Sequence, residues 1–301
     1  MSNSNISVPS IVPSNVPVPS KHITQVLKRV DYSKLVNLGY IPSFPINLDV
    51  KTVKFPYFVY SETSFCEYGM FMDYLVRRMI SDFPNVKTTK AYDPVAYIMG
   101  SMQQTQQIDY AYYEAYQKYT SQEIPWTSAI YSSYLLSSLH FGKQIYTKQD
   151  INKKFMSYKY TFNDLQRLWQ SYGLSDVWYN QEFIYLGLQI HPDCICKINA
   201  KCSECGLLNV CQTKGKECIR QTSYCILDIK CTQSFKGIKE SSLLQIISYA
   251  CVCNELYLQG KCPFKIEFVG IILVMQHDIM LFDIKPNFNH KVFLDYLVNL
   301  S

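Results

Sequence analysis

The chain has 301 residues, of which 48% are hydrophobic and 18% are charged, and its formal net charge is +5. This composition predicts a packed globular core, and the small positive charge is compatible with a polyanionic partner. The N-terminus lacks the features of a secretory signal, and the best apolar run, 268–275, is far shorter than the about 20 residues of a membrane-spanning helix. We therefore expect no membrane segment and an intracellular, reducing compartment (cytoplasm or nucleus) for the 12 cysteines.

Residues 1–20 repeat Ser, Pro, Val and Asn without a period. Their prolines exclude a regular helix, so this segment is expected to be a flexible tail. The following segment, 21–175, is predicted to be mainly helical. Its clearest helix is 64–83, where apolar residues recur at helical spacing and Ser64 with Glu67 forms a capping-box pattern.

The helix at 64–83 also has a separate polar face, which carries Asp73, Arg77 and Arg78. Three more helices are predicted in the N-terminal segment, at 93–119, 128–141 and 161–172. The second of them contains His140, which we interpret as structural, because a lone histidine on a helix is more often structural than catalytic. We interpret these three helices as an accessory layer.

The pattern changes to strands in the last segment, 176–301. Strands are predicted at 182–190, 194–198, 224–230, 265–275 and 279–285. Helices are predicted at 241–256 and 288–300, and the first supplies the crossover that parallel strands require. A Cys-rich insertion spans 196–222. The predicted fold class is therefore α/β, with a mixed sheet core flanked by helices and an N-terminal helical layer.

Acidic and basic residues follow neighbouring predicted strands. Asp193 ends the strand at 182–190, and Asp228 and Lys230 end the strand at 224–230. Two residues spaced by two on a strand point to the same face, so the Lys230 ammonium is expected beside the Asp228 carboxylate. Two carboxylates from neighbouring strands can hold Mg²⁺ and leave positions for water and a phosphate, and the Ile229 carbonyl is a natural extra ligand.

The helix that follows carries two polar residues suited to the same site. Gln245 and Tyr249 are four residues apart, so they share one helical face and could hydrogen-bond an active-site loop or a DNA backbone. A second Asp-x-Lys motif, Asp283 with Lys285, has no such surroundings and is interpreted as a solvated strand end. The non-catalytic alternative is that Asp228 and Lys230 form a surface ion pair, which contributes only about 0–1 kcal/mol to stability.

Three segments, QEFIYLGLQIHPDCI, CILDIKCT and LLQIISYA, resemble the RecB-like or lambda-exonuclease-like branch of the PD-(D/E)XK nuclease superfamily. That family has an aspartate after its second core strand begins, an acidic residue and a lysine two apart on the third strand, and Gln-x-x-x-Tyr on the next helix. By position, the resemblance implies that Asp193 and Asp228 bind the metal and that Lys230 is the catalytic lysine. Gln245 and Tyr249 match the helix motif.

The resemblance implies a restriction-endonuclease-like core with the helix at 64–83 as its first core helix. The implied activity is that of a Mg²⁺- or Mn²⁺-dependent deoxyribonuclease, for example an exonuclease, in viral or mobile-element replication, recombination or repair. DNA is the expected substrate, and RNA is left open. The chain departs from the family at His191 and Pro192, which precede Asp193. Glu67 is the nearest match to the acidic residue that the family often has on the first helix.

Cysteines crowd the same region. One set has the spacing of a zinc site at its first pair, and consists of Cys202, Cys205, Cys211 and Cys218. The alternative is that these are reduced loop cysteines. A second set has the count of an iron–sulfur site but not its spacing, and consists of Cys66, Cys251, Cys253 and Cys262. Burial as small hydrophobic residues explains the second set better.

Two other functions remain open from the sequence. One is a catalytically inactive nucleic-acid-binding protein with a zinc-knuckle insertion. The other is a structural or assembly protein whose 25 tyrosines pack an interface. Lysines near the candidate site are phosphate contacts in the nuclease hypothesis and solvated loop residues otherwise, and they are Lys197, Lys201, Lys214 and Lys216.

Overall fold

The computed structural model describes residues 20–41, 65–83, 86–87, 110–121, 125–139, 147–155, 158–202, 220–231, 240–284 and 289–301. The helices in these ranges are α1 (Ile23–Leu27), α2 (Tyr32–Asn37), α3 (Phe65–Ser81), α4 (Tyr110–Thr120), α5 (Trp126–Ser138), α6 (Lys148–Phe155), α7 (Tyr158–Ser171), α8 (Glu240–Leu258) and α9 (His290–Leu300). The strands are β1 (Lys21–His22), β2 (Leu174–Tyr179), β3 (Phe183–Tyr185), β4 (Leu188–Ile190), β5 (Cys194–Cys202), β6 (Arg220–Lys230), β7 (Ile266–Leu273) and β8 (Asp278–Asp283). A mixed α/β class is therefore confirmed.

The main sheet has five strands in the order β2-β5-β6-β7-β8. Strands β6 and β7 are parallel, and the other neighbours are antiparallel. Helix α8 connects the two parallel strands, as predicted from the sequence. The antiparallel pairing of β5 with β6 sets Cys194 opposite Leu227, so the beginning of β5 lies beside the end of β6. This register determines where the candidate site forms.

A smaller sheet has the order β1-β4-β3. The single strand predicted at 182–190 is wrong, because the chain folds back there into the β3–β4 hairpin. The turn is made by Leu186 at φ 45° and Gly187 at φ 83°, and a glycine adopts positive φ without steric cost. Apolar residues continue through the turn from Phe183 to Leu188, interrupted only by Gly187, so the apolar pattern did not reveal it.

Alternate residues of the sheet pack into two separate cores. On one face, Ile195 and Ile226 pack with α8, α9 and the short N-terminal helices. On the other face, Cys196 and Leu227 pack with α3 and α7. The sheet is therefore covered on both sides, as expected for strands joined by a helical crossover.

Helix α3 confirms the predicted helix at 64–83 between Phe65 and Ser81. Its apolar stripe is fully buried against the sheet and includes Met72, Leu75 and Val76. On the polar face of the helix, Asp73 and Arg77 form an ion pair of 2.9 Å. The proposed cap residue, Ser64, lies outside the described residues.

Several predicted boundaries change. Strand β5 ends at Cys202 and strand β6 begins at Arg220, so both strands extend into the predicted Cys-rich insertion at 196–222. The rest of that insertion, 203–219, lies outside the described residues. Residues 1–19 of the predicted tail lie outside the described residues. The part of the predicted helix at 93–119 that precedes Tyr110 also lies outside them, and so does His140. Strand β2 and helix α6 were missed. No helix in the described ranges has a stretch both long and apolar enough to cross a membrane.

Gly270 is required where the central strands are most tightly packed. It lies on β7 between Leu227 of β6 and Leu281 of β8. A Cβ atom at this position would come within 2.4 Å of the Met280 carbonyl oxygen and within 2.8 Å of both leucine side chains. Any side chain larger than hydrogen would therefore force the strands apart.

Candidate active site

Antiparallel pairing brings Asp193 to the end of β6. The sequence-based interpretation that Asp193 ends a strand is wrong, because it immediately precedes β5 and follows the β3–β4 hairpin. Its Oδ2 atom accepts a hydrogen bond of 3.0 Å from the backbone N–H of Ile229. In an extended strand the carbonyl of a residue points to the same side as its N–H, so the Ile229 carbonyl also points toward Asp193.

Asp228 and Lys230 lie at the end of β6 on the sheet face covered by α8, since they alternate with Ile229, whose side chain packs on the α3 face. The Lys230 ammonium is 2.8 Å from Oδ2 of Asp228. The Asp228 residue is only 3% exposed, whereas the Lys230 side chain is 30% exposed. The pair is therefore not a solvated surface ion pair, which was the non-catalytic alternative, because Asp228 is buried.

The Asp228 carboxyl group is electrostatically unusual. Its pKa is raised to about 8, chiefly by burial and also by the negative charge of Asp193 and a hydrogen bond with that residue, against the opposing effect of Lys230. Two carboxyl groups that share one proton behave in this way. Burial lowers the pKa of Lys230, but Asp228 and Asp193 outweigh that effect and raise it, so the ammonium stays charged. The two carboxyl groups therefore do not readily carry full negative charge together in this buried site.

Helix α8 contributes two side chains to the same end of the sheet. The Gln245 Nε2 atom donates a hydrogen bond of 2.7 Å to the Tyr249 hydroxyl, as their spacing of four residues allows. Tyr249 is buried, and burial together with the charges of Asp193 and Asp228 raises its pKa above the ordinary value. Its phenol therefore remains protonated beside the two carboxyl groups.

Helix α3 adds two residues that the sequence analysis did not assign to the site. The Arg77 Nε atom pairs with Oδ2 of Asp73 at 2.9 Å, and its NH2 group lies 3.5 Å from Oδ1 of Asp193. Burial raises the pKa of Asp73, and the charge of Asp193 adds to this, although Arg77 opposes it. Asp73, rather than Glu67, is therefore the acidic residue of this helix that faces the site. The signal available in the sequence was the i, i+4 spacing of Asp73 and Arg77 on a mostly apolar helix.

The donors at this site fit a hard divalent cation. Oδ2 of Asp228 is sealed from solvent and, despite the nearby Lys230, has no hydrogen bond of good geometry within the described chain. Its raised pKa comes chiefly from burial and then from the charge of Asp193, and a bound cation would stabilise the ionised carboxylates in that buried setting. Within the described ranges no three His, Cys, Asp or Glu side chains gather as a metal cluster. Carboxylates from Asp193 and Asp228, a backbone carbonyl and water are a set that Mg²⁺ accepts.

The four cysteines predicted to hold zinc fall between positions 202 and 218. Cys205, Cys211 and Cys218 lie outside the described residues, and only the backbone of Cys202 is described. Of the second set, Cys251, Cys253 and Cys262 are buried free thiols in the α8 core. That location agrees with packing as small hydrophobic residues.

The rival Asp-x-Lys motif lies at the opposite end of the sheet. Asp283 pairs with Phe268 near the start of β7, whereas Lys230 pairs with Leu273 at its end. Asp283 is exposed, and Lys285 lies outside the described residues. Asp283 is therefore remote from the carboxylates of Asp193 and Asp228.

Comparison with known proteins gives no relative from which a role could be transferred. No protein-family model, no curated protein and no solved structure matches this chain significantly.

Proposed function

We propose that the chain is a Mg²⁺-dependent nuclease that hydrolyses DNA phosphodiester bonds on a restriction-endonuclease-like core. The observation that carries the proposal is the convergence of two carboxyl groups, from Asp193 and Asp228, beside the Lys230 ammonium at one end of the sheet. Groups with strongly shifted pKa values and opposite charges cluster at catalytic sites more often than elsewhere.

The order of the elements supports the proposal. The resemblance expects a first core helix, an aspartate after the second strand begins, the Asp-x-Lys motif on the third strand and Gln-x-x-x-Tyr on the next helix. In the main sheet the chain runs from α3 to β2, β5 and β6, and then to α8. Asp228 and Lys230 end β6, and Gln245 and Tyr249 lie on α8, which are the elements that the resemblance expects, whereas Asp193 lies immediately before β5 rather than within it. The β3–β4 hairpin and the helices α4 to α7 are insertions in that order.

The chemistry assigns a distinct role to each side chain. Asp193 and Asp228 would hold the Mg²⁺, with the Ile229 carbonyl as an additional ligand. When bound, the cation supplies Lewis acidity to the phosphate and lowers the pKa of a water molecule. The half-exposed Lys230 orients the attacking water and stabilises negative charge that develops on the phosphate oxygens. The Tyr249 hydroxyl accepts a hydrogen bond from Gln245, and its own proton would form a hydrogen bond to the carboxylates or the substrate backbone.

Cleavage by the purified full chain tests the proposal. Labelled linear duplex DNA, single-stranded DNA and RNA are incubated with Mg²⁺ or Mn²⁺, and a parallel set receives EDTA. We expect metal-dependent cleavage of DNA. The variants Asp193→Asn and Asp228→Asn should each lose more than about 100-fold in cleavage rate. Loss of a residue that only contacts a metal ligand already costs up to about 100-fold, and these two residues would bind the metal directly. Asp283→Asn is the matched control, because it alters the rival motif at the other end of the sheet.

The results separate the alternatives. If the two site variants and Asp283→Asn all cleave DNA as fast as the wild type, the assigned site is wrong. Cleavage of RNA alone would change the substrate class but keep the site. Salt-sensitive DNA binding without cleavage by the wild type would favour an inactive nucleic-acid-binding protein.

A further inference from the structure

We infer that Arg77 is a positioning residue that fixes Asp193 in the orientation required to bind a divalent cation. The inference rests on the proposed function and assigns a role to a residue outside the sequence motifs. Arg77 lies on α3, on the opposite face of the sheet from Gln245 and Tyr249. The candidate site is therefore supported from both sides of the sheet.

The contacts of Arg77 occupy its whole guanidinium group. The Nε atom donates to Asp73 at 2.9 Å. The Nη1 atom donates to Oδ1 of Asn180 at 2.9 Å and to the backbone carbonyl of Asp193 at 3.3 Å. The Nη2 atom lies 3.5 Å from Oδ1 of Asp193. Since all three nitrogen atoms already face acceptors and the side chain is only 5% exposed, Arg77 is not available to bind a substrate phosphate.

Arg77 is itself held in place by the end of β2. The Tyr179 hydroxyl donates to the Arg77 backbone carbonyl at 3.2 Å, and the Tyr179 ring lies 5.4 Å from the guanidinium carbon. The next residue, Asn180, has φ 45° and so adopts the left-handed conformation that asparagine tolerates better than most residues. Its backbone N–H donates to the Asp193 carbonyl, and its side-chain oxygen accepts from Arg77.

These contacts restrain Asp193 from two directions. The Ile229 N–H holds Oδ2, while Arg77 attracts Oδ1 and hydrogen-bonds the backbone carbonyl of the same residue. A carboxylate restrained in this way has lost its side-chain rotation before a cation arrives, so less free energy is needed to order it on binding. A lysine keeps the positive charge but cannot reach several acceptors from one planar fork.

The substitution Arg77→Lys tests the inference, with Arg78→Lys as its matched control. Arg78 is the next residue of α3 and is equally buried, and it pairs with Asp82 at 2.8 Å and donates to the Ser121 carbonyl at 2.8 Å, so it makes no contact with Asp193. The readout is Mn²⁺ affinity, measured by titration calorimetry without substrate. We expect Arg77→Lys to bind Mn²⁺ about 10-fold to 100-fold more weakly, and Arg78→Lys to bind as the wild type does. Thermal unfolding of both variants monitors the structural cost.

A second substitution keeps the test decisive if Arg77→Lys does not fold. Asn180→Gly retains the left-handed backbone but removes the oxygen that orients Arg77, and it should weaken Mn²⁺ binding several-fold. If the wild type binds Mn²⁺ and none of these variants differs from Arg78→Lys, the positioning role is overturned while the proposed function stands. If the wild type binds no Mn²⁺, the proposed function fails and this inference fails with it.

Discussion

The carboxylate of Asp193 and the backbone N–H of Ile229 form a hydrogen bond of 3.0 Å across neighbouring strands. A side chain therefore takes a donor that a longer β5 would have paired with a backbone carbonyl. The end of β6 is consequently tied to the residue that precedes β5. The candidate site is part of the sheet rather than an addition to its loops, so changes at the site are expected to affect stability as well as activity.

The raised pKa of Asp228 makes stability depend on pH. Its ordinary pKa is 3.8 and its folded value is about 8, so between these values the folded chain holds a proton that the unfolded chain releases. Stability from this group is present at low pH and declines as pH rises toward 8. We expect the free energy of unfolding of the wild type to fall relative to Asp228→Asn by a few kcal/mol over this range, because each unit of pKa shift corresponds to about 1.4 kcal/mol. Urea unfolding at several pH values measures the difference, and parallel curves would contradict the expectation.

Mg²⁺ and the Asp228 proton are expected to compete. A cation that binds the two carboxylates must displace the shared proton, so the apparent affinity should fall about 10-fold for each unit of pH below the pKa of Asp228. Addition of Mg²⁺ should raise the melting temperature more at pH 8 than at pH 6, and a concentration of 100 times Kd corresponds to about 2.7 kcal/mol of stabilisation. Calorimetry in two buffers of different ionisation enthalpy should detect proton release on binding. Equal affinity at both pH values would count against the shared-proton site.

Lys230→Met is expected to reduce kcat about 10²-fold to 10³-fold, the range found when one charge-stabilising donor is removed. Mn²⁺ affinity should be unchanged or tighter, because a competing positive charge is removed from the site. Lys265→Met is the control, since Lys265 forms a similar ion pair with Glu267, two residues along the chain, at the other end of β7. Single-turnover cleavage and Mn²⁺ titration of both variants are the measurements. A loss of metal binding in Lys230→Met without a loss of kcat would contradict the assigned role.

Tyr249→Phe removes the hydroxyl that accepts the hydrogen bond from Gln245. We expect kcat to fall about 10-fold, because the phenol supports the carboxylates without touching the reacting atoms. The stability cost should be about 1 kcal/mol, the usual net value of one hydrogen bond. Tyr185→Phe, in the small sheet, is the matched buried tyrosine and should leave cleavage unchanged. Equal rates for the two variants would remove Tyr249 from the site.

Gly270→Ala and Gly69→Ala should change stability in opposite directions. The alanine methyl at 270 would meet the Met280 carbonyl oxygen at 2.4 Å, so we expect a loss of about 1–3 kcal/mol from overpacking. At Gly69, within α3, a Cβ atom meets nothing within 4 Å, so alanine should stabilise the helix by up to about 1 kcal/mol. Urea unfolding of both variants provides the comparison. A neutral effect at 270 would mean that the central strands separate more readily than their packing indicates.

Much of the candidate site follows from local spacing. Asp228 and Lys230 share a face because strand side chains alternate, and Gln245 and Tyr249 share a face because a helix turns about every 3.6 residues. The structure agrees with both local relationships. The strand assignment around Asp193 was wrong, because apolar periodicity cannot reveal a turn formed by Leu186 and Gly187 inside a mostly apolar run.

The sequence by itself determined the helix at α3, the crossover by α8 and the pairs of residues spaced by about one helical turn or one strand repeat. Only the tertiary structure decided which of those pairs meet. Asp193 reaches Asp228 through the register of β5 against β6, and Arg77 reaches Asp193 through the packing of α3 on the sheet. The Ile229–Asp193 hydrogen bond at this register joins residues 36 positions apart, and the Arg77–Asp193 contact joins residues 116 positions apart, so both depend on how whole elements pack rather than on any local preference.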